Sequence, residues 1–145
     1  MDRIWFEWDE EDKVSKCVIQ PEKNGPCFTG EAICHEDDYD MASPRAGQEI
    51  AYRRAKIKHL QHIKNYEIKP QLASLKHLHG CMVHSSRFNP KSYENTMLQR
   101  QIRLLEFDLA TVNEMIKYER KNLKTFIDDK DRMYKHIRKK RLGQE

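Results

Sequence analysis

This 145-residue chain is polar, with 38% hydrophobic residues, 34% charged residues and a mean hydropathy of −0.93. Its length predicts a single domain, and such a composition is typical of long helices that each bury one apolar stripe. Because the sequence lacks both an apolar run near the ~18 residues of a membrane span and a secretory signal, we expect a cytoplasmic protein with reduced cysteines and no membrane partner.

Charge is distributed unevenly along the chain. Residues 1–41 hold 12 acidic and 4 basic side chains, whereas residues 42–145 hold 11 acidic and 23 basic ones. This asymmetry predicts electrostatic pairing of the head with the rest of the chain, anion binding by the basic part, or both.

Residues 1–41 predict an acidic, β-rich head. The aromatic run 4–8, the apolar runs 14–19 and 27–35, and the polar turns between them are typical of three short strands. We expect a three-stranded antiparallel meander, and Gly30 marks a candidate β-bulge in the third strand.

A first helix is predicted over residues 43–80. Ser43 can cap its exposed N–H groups, and Pro44 suits the first helical position. Pro70 removes a backbone donor, so the helix should be kinked or broken near it. Residues 81–92 are expected to form a loop.

A second helix is predicted over residues 93–141, with Ser92 as its cap. Its apolar residues recur at heptad-like steps, with Glu119 and Lys130 in two positions of the core register. The stripe consists of Leu98, Ile102, Leu105, Leu109, Val112, Ile116, Leu123, Phe126, Met133 and Ile137.

The predicted fold class is therefore α+β: a short N-terminal antiparallel β-meander followed by a long, coiled-coil-like antiparallel helical hairpin. Since the first helix is shorter than the second, the far end of the second needs another apolar surface. That mismatch predicts a homo-oligomer.

No pattern in the sequence supports catalysis. It contains no Gly-x-Ser-x-Gly, P-loop or dinucleotide fingerprint. The densest group of soft ligands, His77-x-His79-x-Cys81-x-x-His84, does not match the spacings of a structural zinc site. We expect no enzyme activity, no catalytic residue, no metal and no cofactor.

Basic side chains offer candidate phosphate contacts. Arg53 and Arg54 lie in a comparatively apolar part of the first helix, and residues 117–141 hold 11 basic and 4 acidic side chains. They are interpreted either as solvated helix faces or as contacts to a nucleotide or nucleic acid.

The loop between the helices is the preferred binding site. An aromatic face can stack on a base, an amide can read its edge, and an arginine can hold a phosphate. The alternative is a tight loop in which Phe88 closes the end of the hairpin. The candidate residues there are Arg87, Phe88, Asn89, Tyr93 and Asn95.

Two sequence stretches carry a family resemblance. EAICHEDDYD at 31–40 combines A-x-C with acidic residues that end at an aromatic-Asp pair, and GQEIAYRRA at 47–55 matches G-x-x-[I/L]-A-x-x-R-A. This pattern is similar to the head of phage Thoeris anti-defence proteins, which are sponges for cyclic ADP-ribose signals. The resemblance implies a β-sheet core with long helices, an oligomer, and a pocket of arginines, an aromatic residue and an asparagine. Arg54 stands at the signature arginine, and Phe88, Asn89, Asn95 and Arg103 on the second helix resemble that pocket in residue type.

The leading functional hypothesis is a bacteriophage counter-defence protein that sequesters a cyclic nucleotide or cyclic ADP-ribose signal in the host bacterial cytoplasm, without turnover. The second is an inhibitor that binds a host protein through the helical hairpin or the acidic head, as anti-CRISPR proteins do. The third is a nucleic-acid binding protein that uses the basic second helix.

Overall fold

The computed structural model describes residues 2–33, 44–141 and 143. Its first three elements are strands β1 (Arg3–Asp9), β2 (Val14–Gln20) and β3 (Phe28–Ile33). They form one antiparallel sheet in the order β1-β2-β3. The predicted meander is thereby confirmed, and the helices that follow it make the fold α+β.

Helix α1 (Pro44–His62) packs on one face of the sheet, against alternate residues of β2. Cys17 and Ile19 share a buried cluster there with Ala51 and Ala55. Phe28 of β3 stacks on His59 at a ring-centroid distance of 4.8 Å. The predicted serine cap at position 43 lies outside the described residues.

Gly30 does not form the expected bulge, because β2 and β3 pair in continuous register on both sides of it. The missing side chain serves the helix instead. A Cβ at Gly30 would overlap the Ala51 carbonyl oxygen and the Ala55 nitrogen, and would lie 2.9 Å from Cβ of Arg54. The glycine therefore allows the backbone of α1 to approach the sheet closely.

Around Pro70 the helical backbone continues but changes its winding. A π-helical segment (Ile63–Ile68) joins α1 to helix α2 (Lys69–Val83), and the Lys69 N–H donates to the Lys64 carbonyl. Pro70 follows this segment directly. The wider π-helical turn therefore lies just before the proline, whose ring would clash with the carbonyl four residues earlier in a regular α-helix. Helix α2 extends three residues past Gly80, where the sequence suggested its end.

Helix α3 (Tyr93–Arg141) follows the loop and begins where the sequence predicts. Its capping is confirmed, since the Asn95 backbone N–H donates to Oγ of Ser92 at 3.2 Å. Three residues of the predicted stripe, Leu98, Val112 and Ile116, are buried.

The chain divides into two compact units, one comprising Met1–His59 and Lys117–Glu145 and the other Leu60–Ile116. The first contains the sheet and its packed helix. The second is built on a cluster of Leu60, Ile68, Val112 and Ile116. Within it, an ion pair at 3.4 Å joins Lys76 of α2 to Glu106 of α3.

Candidate functional site

A cavity of about 500 Å³ lies in the first unit, between the start of α1 and the distal part of α3. Its size is within the range of small-molecule sites. Its lining mixes two cations, one carboxylate, two aromatic rings and smaller apolar groups. The lining residues are Arg45, Ala46, Glu49, Phe126, Lys130, Met133, Tyr134 and Ile137.

Helical periodicity brings these side chains onto common faces. Arg45 and Glu49 are one turn apart on α1, and Phe126, Lys130 and Ile137 recur at steps of four and seven on α3. The α3 side chains belong to the predicted apolar seam or its register. Lys130 is one of the two charged residues in that register, and it lines the cavity.

The chemistry of the cavity suits an anion that carries a ring. Nζ of Lys130 lies 5.5 Å from the ring centroid of Phe126, a cation–π arrangement that holds the ammonium over an aromatic face. A second cation, Arg45, lies on the opposite wall. Guanidinium and ammonium groups bind phosphates, and aromatic faces stack on bases.

An ion-pair network supports the wall that carries Glu49. Nε of Arg53 donates to Oε1 of Glu49 at 2.9 Å, and its Nη1 donates to Oε2 of Glu119 at 3.3 Å. Nζ of Lys56 lies 3.0 Å from Oε1 of Glu119, whose side chain is only 8% exposed. The buried carboxylate in the α3 seam is thus paired with two cations of α1. The predicted ligand residue Arg53 contacts the cavity through Glu49.

Arg54 makes a different contact. Its Nη1 donates to the backbone carbonyl of Glu31 at 2.6 Å. The acceptor lies in β3, an edge strand of the sheet. The signature arginine of the 47–55 motif therefore ties α1 to the sheet.

The small residues of the same motif have a packing role. Ala51 and Ala55 lie in the buried cluster on the sheet, and a Cβ on Gly47 would overlap Oγ of Ser15. Spaced four residues apart, the three form the face of α1 that touches β2 and β3. The acidic part of the motif, residues 34–40, lies outside the described residues.

The loop residues lie in the second unit, and two asparagine side chains form hydrogen bonds with the loop backbone. Oδ1 of Asn89 accepts from the Lys91 N–H at 3.0 Å, and Nδ2 of Asn95 donates to the Pro90 carbonyl at 2.9 Å. Asn95 is buried, and Phe88 is partly buried. These groups stabilise the turn that enters α3, as the tight-loop interpretation expects.

The other candidates of this region are exposed. Tyr93 is 74% exposed at the start of α3, and Arg87 is exposed in the loop. Arg103 lines a cavity of about 340 Å³ in the second unit, together with Lys76, His79 and Glu106. Binding by any of them stays a prediction.

The histidine and cysteine cluster at the end of α2 is dispersed. Sγ of Cys81 lies 3.7 Å from Nε2 of His77, whereas Nε2 of His79 lies 3.4 Å from Nε2 of Gln99. Among residues 2–33, 44–141 and 143, no three His, Cys, Asp or Glu side chains come together as metal ligands.

The cavity was not predicted as a site, although Lys130 lies in the basic segment 117–141 and two further signals in the sequence pointed to it. Lys130 is, with Glu119, one of two charged residues in an apolar register, and Phe126 precedes it by one helical turn. The sequence could not show that Arg45 and Glu49 face them across the cavity.

Comparison with known proteins by family model, by sequence and by structure finds no match for this chain. Within the described part of the chain, no helix combines the length and the apolar character that crossing a bilayer requires.

Proposed function

We propose that this chain is a non-catalytic binding protein for a small anionic ligand with an aromatic ring, of the cyclic-nucleotide class. The observation that carries the proposal is the cavity of the first unit, where Arg45 and Lys130 share about 500 Å³ with Phe126 and Tyr134. Phosphate neutralisation and base stacking are the two contacts that such a ligand needs, and the lining contains side chains of both kinds.

Both the phosphate contact and the stacking contact can contribute measurably to the free energy of ligand binding. A charge-assisted hydrogen bond to a phosphate contributes about 1.5–3 kcal/mol, and stacking of one base on an aromatic side chain about 1–3 kcal/mol. Glu49, oriented by Arg53, adds a carboxylate that can accept a hydrogen bond from a ring N–H or an exocyclic amine. Two cations against one carboxylate leave the lining with an excess of positive charge.

The biological role in this proposal comes from the resemblance at residues 31–55. A phage counter-defence protein that sequesters a cyclic nucleotide or cyclic ADP-ribose signal in the host cytoplasm needs tight binding and no catalytic group. The coiled-coil-like helical hairpin and the homo-oligomer expected from the sequence belong to the same proposal.

Isothermal titration calorimetry with 3′,5′-cyclic GMP, a cyclic dinucleotide and cyclic ADP-ribose tests the binding. Lys130→Met keeps the length of the side chain and removes its charge, so we expect the Kd of the bound compound to rise about 10-fold or more. Lys121→Met is the matched control, because Lys121 is exposed on the same helix and does not line the cavity. Its Kd should equal that of the wild type.

The absence of turnover is tested on the same samples. After prolonged incubation the ligand, separated by chromatography from the denatured protein, should be recovered intact. Failure of all three compounds to bind would overturn the proposal, as would binding that Lys130→Met leaves unchanged. Recovery of a degraded ligand would indicate catalytic turnover and would contradict the proposal of a non-catalytic binding protein.

A further inference from the structure

Helix α3 carries a second apolar stripe that the core of the second unit does not use. Leu104, Phe107 and Met115 are 56%, 69% and 42% exposed. At about 100° per residue, the three side chains fall within roughly 80° of the helix circumference. Large exposed apolar side chains that share one helix face usually mark an interaction surface.

A groove continues this surface towards α2. It has a volume of about 610 Å³ and includes Leu104 itself, with Pro70, Leu75 and Leu105 among its lining residues. The same face therefore presents protruding apolar side chains and an apolar depression beside them. A surface with both features can pack against a copy of itself.

Charges along the stripe indicate which arrangement such a copy would take. Arg103 and Glu114 are both exposed and border the stripe on the same side, 11 residues or about three helical turns apart. In a parallel two-fold pair this flank of one copy would lie on the opposite side of the contact from the same flank of the other, so the two charges would not meet. In an antiparallel pair the arginine of each copy meets the glutamate of the other.

We propose that this outer face of α3 packs antiparallel against the same face of a second copy of the chain. In this arrangement the two-fold axis passes near residue 109, which is close to the midpoint of each facing pair. Leu104 then lies opposite the partner's Met115 beside the groove, Phe107 opposite the partner's Thr111, and Arg103 beside the partner's Glu114. This pairing of two copies does not depend on the ligand-binding proposal.

Sedimentation equilibrium of the full chain tests the pairing. The wild type should be a dimer or an even-numbered oligomer at micromolar concentration. Phe107→Gln, which removes the most exposed ring of the stripe, should raise the dimer dissociation constant about 30-fold or more without changing the helical circular dichroism. Val83→Gln, at another exposed apolar residue of the same unit, is the matched control and should leave the constant unchanged.

Charge reversal identifies the partner and its direction. Arg103→Glu and Glu114→Arg should each weaken the dimer several-fold, and the double variant should recover most of the wild-type association, because it restores both pairs only if two copies face each other antiparallel. A monomer at all concentrations would overturn the proposal and leave the face to another partner. A dimer insensitive to Phe107→Gln, or a double variant weaker than both single ones, would also overturn it.

Discussion

The close approach of α1 to the sheet at Gly30 makes a sharp prediction for Gly30→Ala. The new Cβ would overlap backbone atoms of Ala51 and Ala55, which cannot rotate away as a side chain can. Ordinary contacts lie near 3.5–4.0 Å, so α1 must move by on the order of 1 Å. Such overpacking costs about 1–3 kcal/mol.

The same movement weakens the hydrogen bond from Arg54 to the Glu31 carbonyl, which contributes about 1 kcal/mol. Replacing a glycine in a strand returns about 0.5–1 kcal/mol by restricting the unfolded chain. We therefore expect the free energy of unfolding to fall by about 1–3.5 kcal/mol, a large part of the ~5–15 kcal/mol of a typical domain.

Urea unfolding followed by tryptophan fluorescence measures this loss, because both tryptophans of the chain, Trp5 and Trp8, lie in β1 of the same sheet. Gly80→Ala is the control. Gly80 is helical, and beyond its own stretch of helix backbone nothing lies within 4 Å of the position that a Cβ would occupy. Its replacement should therefore stabilise α2 by up to about 1 kcal/mol in unfolding followed by circular dichroism. A Gly30→Ala protein within about 0.5 kcal/mol of the wild type would refute the packing argument.

Three further predictions concern single side chains. Glu119→Gln keeps the shape of the buried side chain but removes its charge from two ion pairs. The free energy of unfolding in urea should fall by about 2 kcal/mol, which is less than for a fully buried pair because both cations are partly exposed. An unchanged urea midpoint would contradict a stabilising role of these ion pairs. Burial raises the pKa of the Cys17 thiol, so iodoacetamide near pH 8 should modify exposed Cys27 rapidly and Cys17 only after unfolding, as peptide mass mapping will show. Equal rates would mean that Cys17 is accessible. Hydrogen bonds from a lysine and a tryptophan lower the pKa of the Glu10 carboxyl, so its stabilisation of the first hairpin is present at neutral pH and is lost as the pH falls through the folded-state pKa. An NMR titration of Glu10 that gives an ordinary glutamate pKa would exclude this contribution.

The elements of this protein could be predicted from the sequence because their signals are local. Alternating apolar residues and polar turns specified the three strands, and Ser92 specified the start of α3 through a hydrogen bond to a residue three positions away. Even the unusual residues of the α3 seam, Glu119 and Lys130, were visible as departures from a period. Interactions within a few residues depend little on the rest of the chain.

What each unusual residue contacts was decided only by the tertiary structure. Glu119 meets Arg53 across 66 positions of sequence, and Lys130 shares a cavity with Arg45 across 85. The sequence suggested a bulge at Gly30. The structure shows that α1, which begins 14 residues later, leaves no room for a side chain at this position. Such pairings depend on how whole faces of helices and sheets fit together, and spacing along the chain carries no record of that fit.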